Sequence, residues 1–167
     1  LDVQKKSTKN KDLEGYEVDL TPFRKAIEAI GSYCKEDVLV LVETTVPPGT
    51  AQKIVRPLLE ESLTKRGLPI DKVKVGHSYE RVMPGPKYID SIQNFYRVFA
   101  GTDEKSAVAV ETFLRTVIRT DEYPLTRLGN TNATEMAKVL ENCFRDMNIA
   151  FMVEWSRFAE EAGVDIY

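Results

Sequence analysis

The 167-residue sequence has few of the residues that build metal sites and disulfide frameworks. It contains a single histidine, His77, and two cysteines, Cys34 and Cys143, that lie far apart in the chain. Structural zinc sites draw their ligands from clustered cysteine and histidine side chains, so this composition disfavours a metal centre. Two distant cysteines also lack the dense spacing of a disulfide scaffold, and we expect reduced thiols in a cytoplasmic protein.

The sequence also lacks long apolar runs and an excess of positive charge. No apolar stretch approaches the roughly 20 residues that span a bilayer, and no signal peptide is recognisable. The net charge of −3 at pH 7 gives no basic footprint for nucleic acid. We therefore expect neither a membrane segment nor a nucleic-acid partner. Because the sequence starts at Leu1 and stops just after an amphipathic segment, we expect both ends to be cuts through a larger protein.

Short apolar runs alternate with amphipathic segments along the chain. The run VLVLV at 38–42 is typical of a strand buried on both faces, and further strands are predicted at 73–78 and 97–101. This alternation favours an α/β fold, in which a parallel sheet is covered by helices. The lysine-rich segment 5–19 is expected to be a solvated loop.

Cap and breaker residues indicate where the helices begin. Thr21 and Thr50 are expected to act as N-caps, and Pro57 is expected to bend or interrupt the helix that follows Thr50. Amphipathic spacing predicts two further helices, a short one at 88–96 and a longer one at 103–118.

A final helix is predicted from residue 133 to about residue 162. At the standard rise it would be roughly 45 Å long, too long for a crossover between strands. We therefore interpret it as a connector that leaves the sheet domain, which divides the chain into regions 1–129 and 130–167. Apolar residues recur along it at helical spacing and predict a stripe that packs in a core or against another subunit. The stripe consists of Phe144, Met147, Phe151 and Trp155.

Polar side chains follow the first two predicted strands. Thr44 and Thr45 come after the first strand, and Glu80 and Arg81 come after the second. Ligands of open α/β sheets bind at the carboxyl ends of strands, where a threonine can position a water and a glutamate can act as general base. The alternatives without a catalytic role are a simple turn for the threonines and a surface ion pair between Glu80 and Arg81. His77 is expected to be an ordinary strand residue.

The long helix contributes a further pair of candidates. Lys138 and Asn142 are four residues apart, so their side chains share one face and could together stabilise an oxyanion. Spacing alone favours another interpretation, in which Lys138 pairs with Glu135 or Glu141 on a solvated face.

Three segments in order resemble motifs of the UDP-glucose/GDP-mannose dehydrogenase family. VLVLVETTVPPGT at 38–50 resembles its strand followed by (S/T)-T-V-x-P-G-T, and GHSYERVMPG at 76–85 resembles its P-E-R-V-x-P-G loop. The segment from Ala133 to Asp165 resembles its central helix. Tyr79 stands where the family has proline, and Val153 where it has asparagine.

The resemblance implies oxidation of the C6 alcohol of a nucleotide sugar to a uronic acid, through an aldehyde and a cysteine thioester, with NAD as hydride acceptor. By motif position, Thr45 would orient the water near the nicotinamide, with Thr44 beside it in the cofactor site. Glu80 would be the general acid/base, and Lys138 with Asn142 would stabilise the oxyanion. The residues implied to contact the substrate are Glu80, Arg81, Val82, Met83, Lys138 and Asn142.

The implied fold is the C-terminal part of a Rossmann-like NAD-binding domain, followed by a long central helix. Two copies of the protein are expected to form a homodimer through this helix. The sequence contains no G-x-G-x-x-G, so we expect the pyrophosphate cradle to be missing from it. Neither Cys34 nor Cys143 lies at the position of the family's nucleophilic cysteine, and we expect the fragment alone to be inactive. Pro84 occupies the place of a second glutamate in the UDP-glucose branch. The R-V-x-P-G form resembles enzymes that act on N-acetylated hexosamines, which favours a UDP-N-acetylhexosamine as substrate.

Two alternatives remain open. The related β-hydroxyacid dehydrogenases also have a lysine and an asparagine on a comparable helix, but they would have a Gly-rich loop in place of SYERVMPG. The other alternative is a non-catalytic module for nucleotide binding or dimerisation, because the apolar stripe of the long helix needs a partner.

Overall fold

A computed structural model describes residues 4–7, 16–82 and 85–166 of the chain. It contains six strands, β1 to β6, at Gln4–Ser7, Tyr16–Asp19, Leu39–Val42, Lys74–His77, Val98–Gly101 and Thr126–Arg127. Its five α-helices, α1 to α5, are at Thr21–Tyr33, Arg56–Lys65, Tyr88–Gln93, Glu104–Val117 and Thr131–Glu161, and a π-helical turn at Ala51–Val55 precedes α2.

The main sheet has the strand order β3-β4-β5-β6. β3 and β4 are parallel, as are β5 and β6, whereas β4 and β5 are antiparallel. The predicted α/β fold is therefore confirmed, but the expectation of a parallel sheet is wrong for the central pair. Among the described residues between β4 and β5, the six-residue α3 is the only helix, and β5 returns antiparallel to β4. As a result β5 begins at the edge where β3 and β4 end.

Helices cover both faces of the sheet. Val40 and Val42 of β3 point into a core formed with α1, α2 and the π-helical turn. Leu39 and Leu41, on the other face, pack against a second cluster that includes residues of α4. The helices α1 and α2 approach closely at Gly31, where an added Cβ would lie 2.5 Å from the Ser62 Cβ. The strand is therefore covered on both faces, as its sequence predicts.

Several helix starts differ from the cap residues expected in the sequence. Thr21 is the first residue of α1 rather than its cap, and its N–H donates to the Asp19 carboxylate at 2.9 Å. Thr50 stands at the N-cap position, but its hydroxyl donates to the Pro47 carbonyl at 2.6 Å. The interruption expected from Pro57 is confirmed, since the regular α-helix begins only at Arg56 after a π-helical turn.

The lysine-rich segment 5–19 forms strands at both of its described ends, whereas residues 8–15, also predicted as loop, lie outside the described part of the chain. β1 and β2 pair in an antiparallel two-stranded sheet, with Gln4 opposite Asp19 and Ser7 opposite Tyr16. The polar alternation of Tyr16–Asp19 suits a strand, which a reading of charge alone overlooks.

Helix α5 starts inside the domain and continues without cover. Asn130 caps it by accepting the N–H of Ala133 at 3.0 Å, and Thr131, Thr134 and Glu135 are buried. The residues of the predicted stripe are all half exposed or more within this chain. In the part of the chain that the structure describes, no helix is long and apolar enough to cross a membrane.

Candidate active site

The polar loops after β3 and β4 meet the second and third turns of α5 around one cavity. Its volume is about 450 Å³. Parallel pairing of β3 with β4 places the two loops at the same sheet edge, and α5 crosses that edge. The lining includes seven of the residues singled out in the sequence: Thr44, Thr45, Glu80, Arg81, Val82, Lys138 and Asn142. Met83, the remaining one, lies outside the described residues.

Lys138 is directed to the β4 loop. Its ammonium donates to the Glu80 carbonyl at 2.8 Å and lies 5.2 Å from the centroid of the Tyr79 ring. The interpretation that Lys138 pairs with a neighbouring glutamate of its own helix is wrong, since Glu141 pairs with Arg81 at 2.7 Å and Glu135 binds backbone amides. A positive charge therefore stands at the edge of the cavity.

Asn142 connects the long helix to the β3 loop. Its amide nitrogen donates to the Thr45 hydroxyl at 3.2 Å, and its amide oxygen accepts from Arg145 at 3.1 Å. Thr45 and Asn142 are distant in sequence, so this contact joins two motifs that spacing alone could not connect.

The Glu80 carboxylate does not form the surface ion pair considered from the sequence. It accepts the backbone N–H of Val82, while Arg81 turns to Glu141 on α5. The half-buried Glu80 side chain thus lines the cavity without a cationic side-chain partner among these contacts. A carboxylate held in this way is available as a proton acceptor.

Three further residues line the cavity that the sequence analysis did not select for it: Phe95, Glu141 and Arg145. Arg145 lies three residues beyond Asn142, so helical spacing already places the two on one face. Phe95 reaches the site because β5 returns antiparallel to β4, and no sequence signal indicates this return.

Glu135 fixes the β3 loop to the start of α5. Its side chain is fully buried, and its two carboxylate oxygens accept the N–H groups of Gly49 and Ala51 at 2.5 and 2.8 Å. Burial raises the pKa of Glu135, and the amides of Ala51, Gly49 and Thr50 act in the opposite direction. The carboxylate therefore does the capping that the sequence assigned to Thr50.

His77 is the last residue of β4 and is completely buried. Its Nδ1 lies 2.9 Å from the Thr134 hydroxyl, which itself donates to the Thr131 carbonyl, so Nδ1 is the donor in this pair. Burial lowers the pKa of His77 to about 4; a backbone hydrogen bond with Thr44 opposes this, and the Lys138 charge adds to it. His77 is a strand residue, as expected, and it also ties the sheet to α5.

We expect this histidine to make the protein less stable in mild acid. Its pKa is lower in the folded than in the unfolded chain, so only the unfolded state gains a proton as the pH falls below about 6.5. Between pH 7.5 and pH 5 the free energy of unfolding should fall by about 2 kcal/mol through this group. Urea unfolding at both pH values would measure the loss; a His77→Gln variant with the same pH dependence as the original would contradict it.

Helices on both faces of a sheet, polar loops at the strand ends and a long helix across them define an α/β domain of the Rossmann type that continues into a helical connector. The chain belongs to the UDP-glucose/GDP-mannose dehydrogenase family, a family of NAD-dependent nucleotide-sugar dehydrogenases. The NAD binding domain of the family matches residues 6–118, and its central domain matches residues 132–167. The resemblance drawn from three motifs is thereby confirmed.

Curated relatives and a solved structure support this assignment. The chain is 36% identical over 149 residues to the UDP-N-acetyl-D-mannosamine dehydrogenase of Methanocaldococcus jannaschii, and 37% identical over 155 residues to that of Pyrococcus horikoshii. These matches cover 89% and 93% of this chain but 32% and 35% of the relatives. The solved structure of a UDP-D-ManNAc dehydrogenase from Pyrococcus horikoshii superposes with a TM-score of 0.75 at 34% identity, covering 90% of this chain and 34% of that one. The chain thus spans about a third of the length of the curated relatives it matches.

Proposed function

We propose that the full-length protein is an NAD-dependent dehydrogenase that oxidises the C6 alcohol of a UDP-sugar to the uronic acid. The observation that carries this proposal is the meeting of two strand-end loops with α5. Thr45 contacts Asn142, and the Glu80 carbonyl contacts Lys138, around one cavity. A carboxylate, an ammonium, an amide and a hydroxyl at one cavity are the groups needed to move a proton and to stabilise an oxyanion.

The residues of this chain fit one end of the cofactor. Thr44 and Thr45 follow β3 and line the cavity, and threonine hydroxyls at the carboxyl end of a strand suit the ribose next to the nicotinamide. NAD supplies the acceptor for the hydride that leaves the sugar carbon. We assign the pyrophosphate cradle to a part of the protein outside these 167 residues, because they contain no G-x-G-x-x-G.

The remaining steps are assigned to side chains around the cavity. Glu80 accepts the proton as the C6 hydroxyl becomes a carbonyl, and it later activates water. The Lys138 ammonium and the Asn142 amide stabilise the negative charge on the oxygen, and Thr45 orients the water. Arg81, Val82 and Met83 are proposed to contact the substrate.

Further oxidation to the acid is proposed to pass through a thioester on a cysteine outside this chain. Cys34 and Cys143 are free thiols, and neither lines the cavity. We therefore propose that the 167 residues alone do not turn over, and that the boundary between the NAD-binding and helical regions lies at 129/130. Two reduced thiols also favour a cytoplasmic location.

We propose a UDP-N-acetylhexosamine as the substrate. The R-V-x-P-G loop favours this class over UDP-glucose, and the relatives named above are UDP-N-acetyl-D-mannosamine dehydrogenases. The test is NADH formation by the full-length protein with UDP-N-acetylmannosamine, UDP-N-acetylglucosamine and UDP-glucose. We expect the highest kcat/KM with an acetylated sugar. No NADH with any of them would overturn the proposal, and binding without turnover would support the non-catalytic module.

We also propose that two copies of the protein associate through α5. The ring centroids of Phe151 and Trp155 are 6.0 Å apart in a stacked pair, and those of Trp155 and Phe158 are 5.4 Å apart. These rings form an aromatic surface that is exposed in this chain. Exposed apolar surface of this kind favours a partner, and a long helix offers the same face to a second copy.

Placing a charge on this surface should weaken the dimer. We expect Phe151→Glu to raise the dimer dissociation constant roughly 30-fold or more, because aromatic anchors at the centre of an interface dominate its affinity. Sedimentation of the full-length protein across a concentration series measures this. Phe113→Glu on α4, also at an exposed phenylalanine, is the control and should leave the dimer intact. Equal effects of the two changes would argue against α5 as the interface.

A further inference from the structure

We propose that Tyr79 is a positioning residue for Lys138, whose ammonium it holds against the aromatic ring beside the Glu80 carbonyl. This inference rests on the proposed function of Lys138 and goes beyond it. The ammonium nitrogen is 5.2 Å from the ring centroid, within the distance of about 6 Å at which a cation is attracted to an aromatic face. The adjacent residue supplies the carbonyl that accepts from the same nitrogen at 2.8 Å.

The two contacts hold the ammonium without neutralising it. A lysine side chain is long and flexible, so an unrestrained ammonium spends little of its time at one position. A carboxylate partner would fix it but would also compensate its charge. The ring and the carbonyl are both uncharged, and the neighbouring carboxylates on α5, Glu135 and Glu141, are bound to other groups. The positive charge therefore stays available to a developing oxyanion in the cavity.

The hydroxyl of Tyr79 lies near the ion pair that joins the loop to α5. Arg81 and Glu141 pair with each other at 2.7 Å across the gap between the loop and α5, and both side chains act on the Tyr79 hydroxyl. Burial and the charge of Glu141 raise the pKa of Tyr79, so the phenol keeps its proton at neutral pH. The neutral ring therefore adds no charge that would compensate the Lys138 ammonium.

This arrangement depends on the residue type at position 79. The loop otherwise resembles P-E-R-V-x-P-G, and proline in that place would offer no aromatic face to the ammonium. The tyrosine thus supplies a restraint on Lys138 that the general motif does not contain.

The test compares Tyr79→Phe with Tyr79→Leu in the full-length protein. Phenylalanine keeps the ring and should retain most of the kcat, whereas leucine removes the ring and should lower kcat about threefold to tenfold with little change in the KM for NAD. In a Lys138→Ala background, Tyr79→Leu should have no further effect, because the side chain it positions is gone. An equal loss of kcat in both backgrounds, or equal losses for Phe and Leu, would overturn the proposal.

A second measurement does not depend on turnover. The ring should shift the NMR signal of the Lys138 ε-methylene protons upfield, and the shift should persist in Tyr79→Phe and vanish in Tyr79→Leu. The signal is assigned by its loss in Lys138→Arg. A normal shift in the unaltered protein would overturn the proposed contact. An upfield shift in a protein that forms no NADH with any UDP-sugar would instead overturn the proposed function and leave the contact standing.

Discussion

Replacing Lys138 by alanine in the full-length protein is expected to lower kcat about 10²- to 10³-fold while the thermal unfolding midpoint stays nearly constant. The expectation follows from where the ammonium lies, at the edge of the cavity and held by the Glu80 carbonyl at 2.8 Å. Removal of one preorganised donor to an oxyanion costs a rate factor of about this size. The fold loses little, since the side chain is partly exposed and makes no ion pair with any residue that the structure describes.

Steady-state NADH formation and thermal unfolding together test this expectation. Lys105→Ala, at an exposed lysine on α4, serves as the control and should change neither quantity. Normal turnover with a lowered midpoint in Lys138→Ala would mean that the lysine supports the fold rather than the reaction.

The second large effect concerns stability. Glu135→Ala is expected to lower the free energy of unfolding by about 3 kcal/mol, since it leaves the amides of Gly49 and Ala51 buried without their acceptor. The free energy of unfolding of Glu135→Gln should lie between those of the unaltered protein and Glu135→Ala. The glutamine amide offers one acceptor and turns its NH₂ group toward the other backbone N–H. Urea unfolding of the full-length protein provides the measurement.

The position of Glu135 also predicts a loss of activity. The amides it binds lie at the end of the loop that carries Thr45 and at the first residue of the π-helical turn, so the loop should lose its fixed position relative to Asn142. Glu122→Ala, at an exposed glutamate, should stay within about 0.5 kcal/mol of the unaltered protein. A comparably small change in Glu135→Ala would show that the carboxylate is not the anchor described above.

The sequence predicts β3 to β5 and the α-helices because their patterns are local. Apolar runs mark β3 to β5, and Asp103 caps α4 by accepting the N–H of Ser106. The direction of β5 is not local, since it depends on how the chain returns after α3. For this reason the sequence could not place Phe95 at the cavity.

The spacing of residues along the sequence also could not predict the partners of the charged residues on α5. Glu135 and Lys138 are three residues apart and look like an ion pair in the sequence. In the structure the two side chains have different partners. Glu135 accepts from backbone amides at the end of the β3 loop, and Lys138 contacts a carbonyl and an aromatic ring of the β4 loop. Burial explains why Glu135 binds the amides rather than Lys138. Leaving buried N–H groups without an acceptor costs more free energy than a solvated ion pair contributes.

His77 shows the same limit in another way. Its place in β4 follows from the strand pattern, but its burial and its contact with Thr134 depend on α5 packing over the end of the strand. The motif resemblance placed Thr45, Glu80, Lys138 and Asn142 in one site, although their order along the chain contains no such information by itself.

The central claim is a C6 oxidation with NAD as acceptor, and the number of NADH molecules formed per sugar tests it most directly. The full-length protein is incubated with excess NAD and a limiting amount of UDP-N-acetylmannosamine until the reaction stops. Two NADH for each sugar consumed, with the uronic acid as product, is the predicted result. One NADH per sugar, or consumption of no sugar at all, would contradict the account.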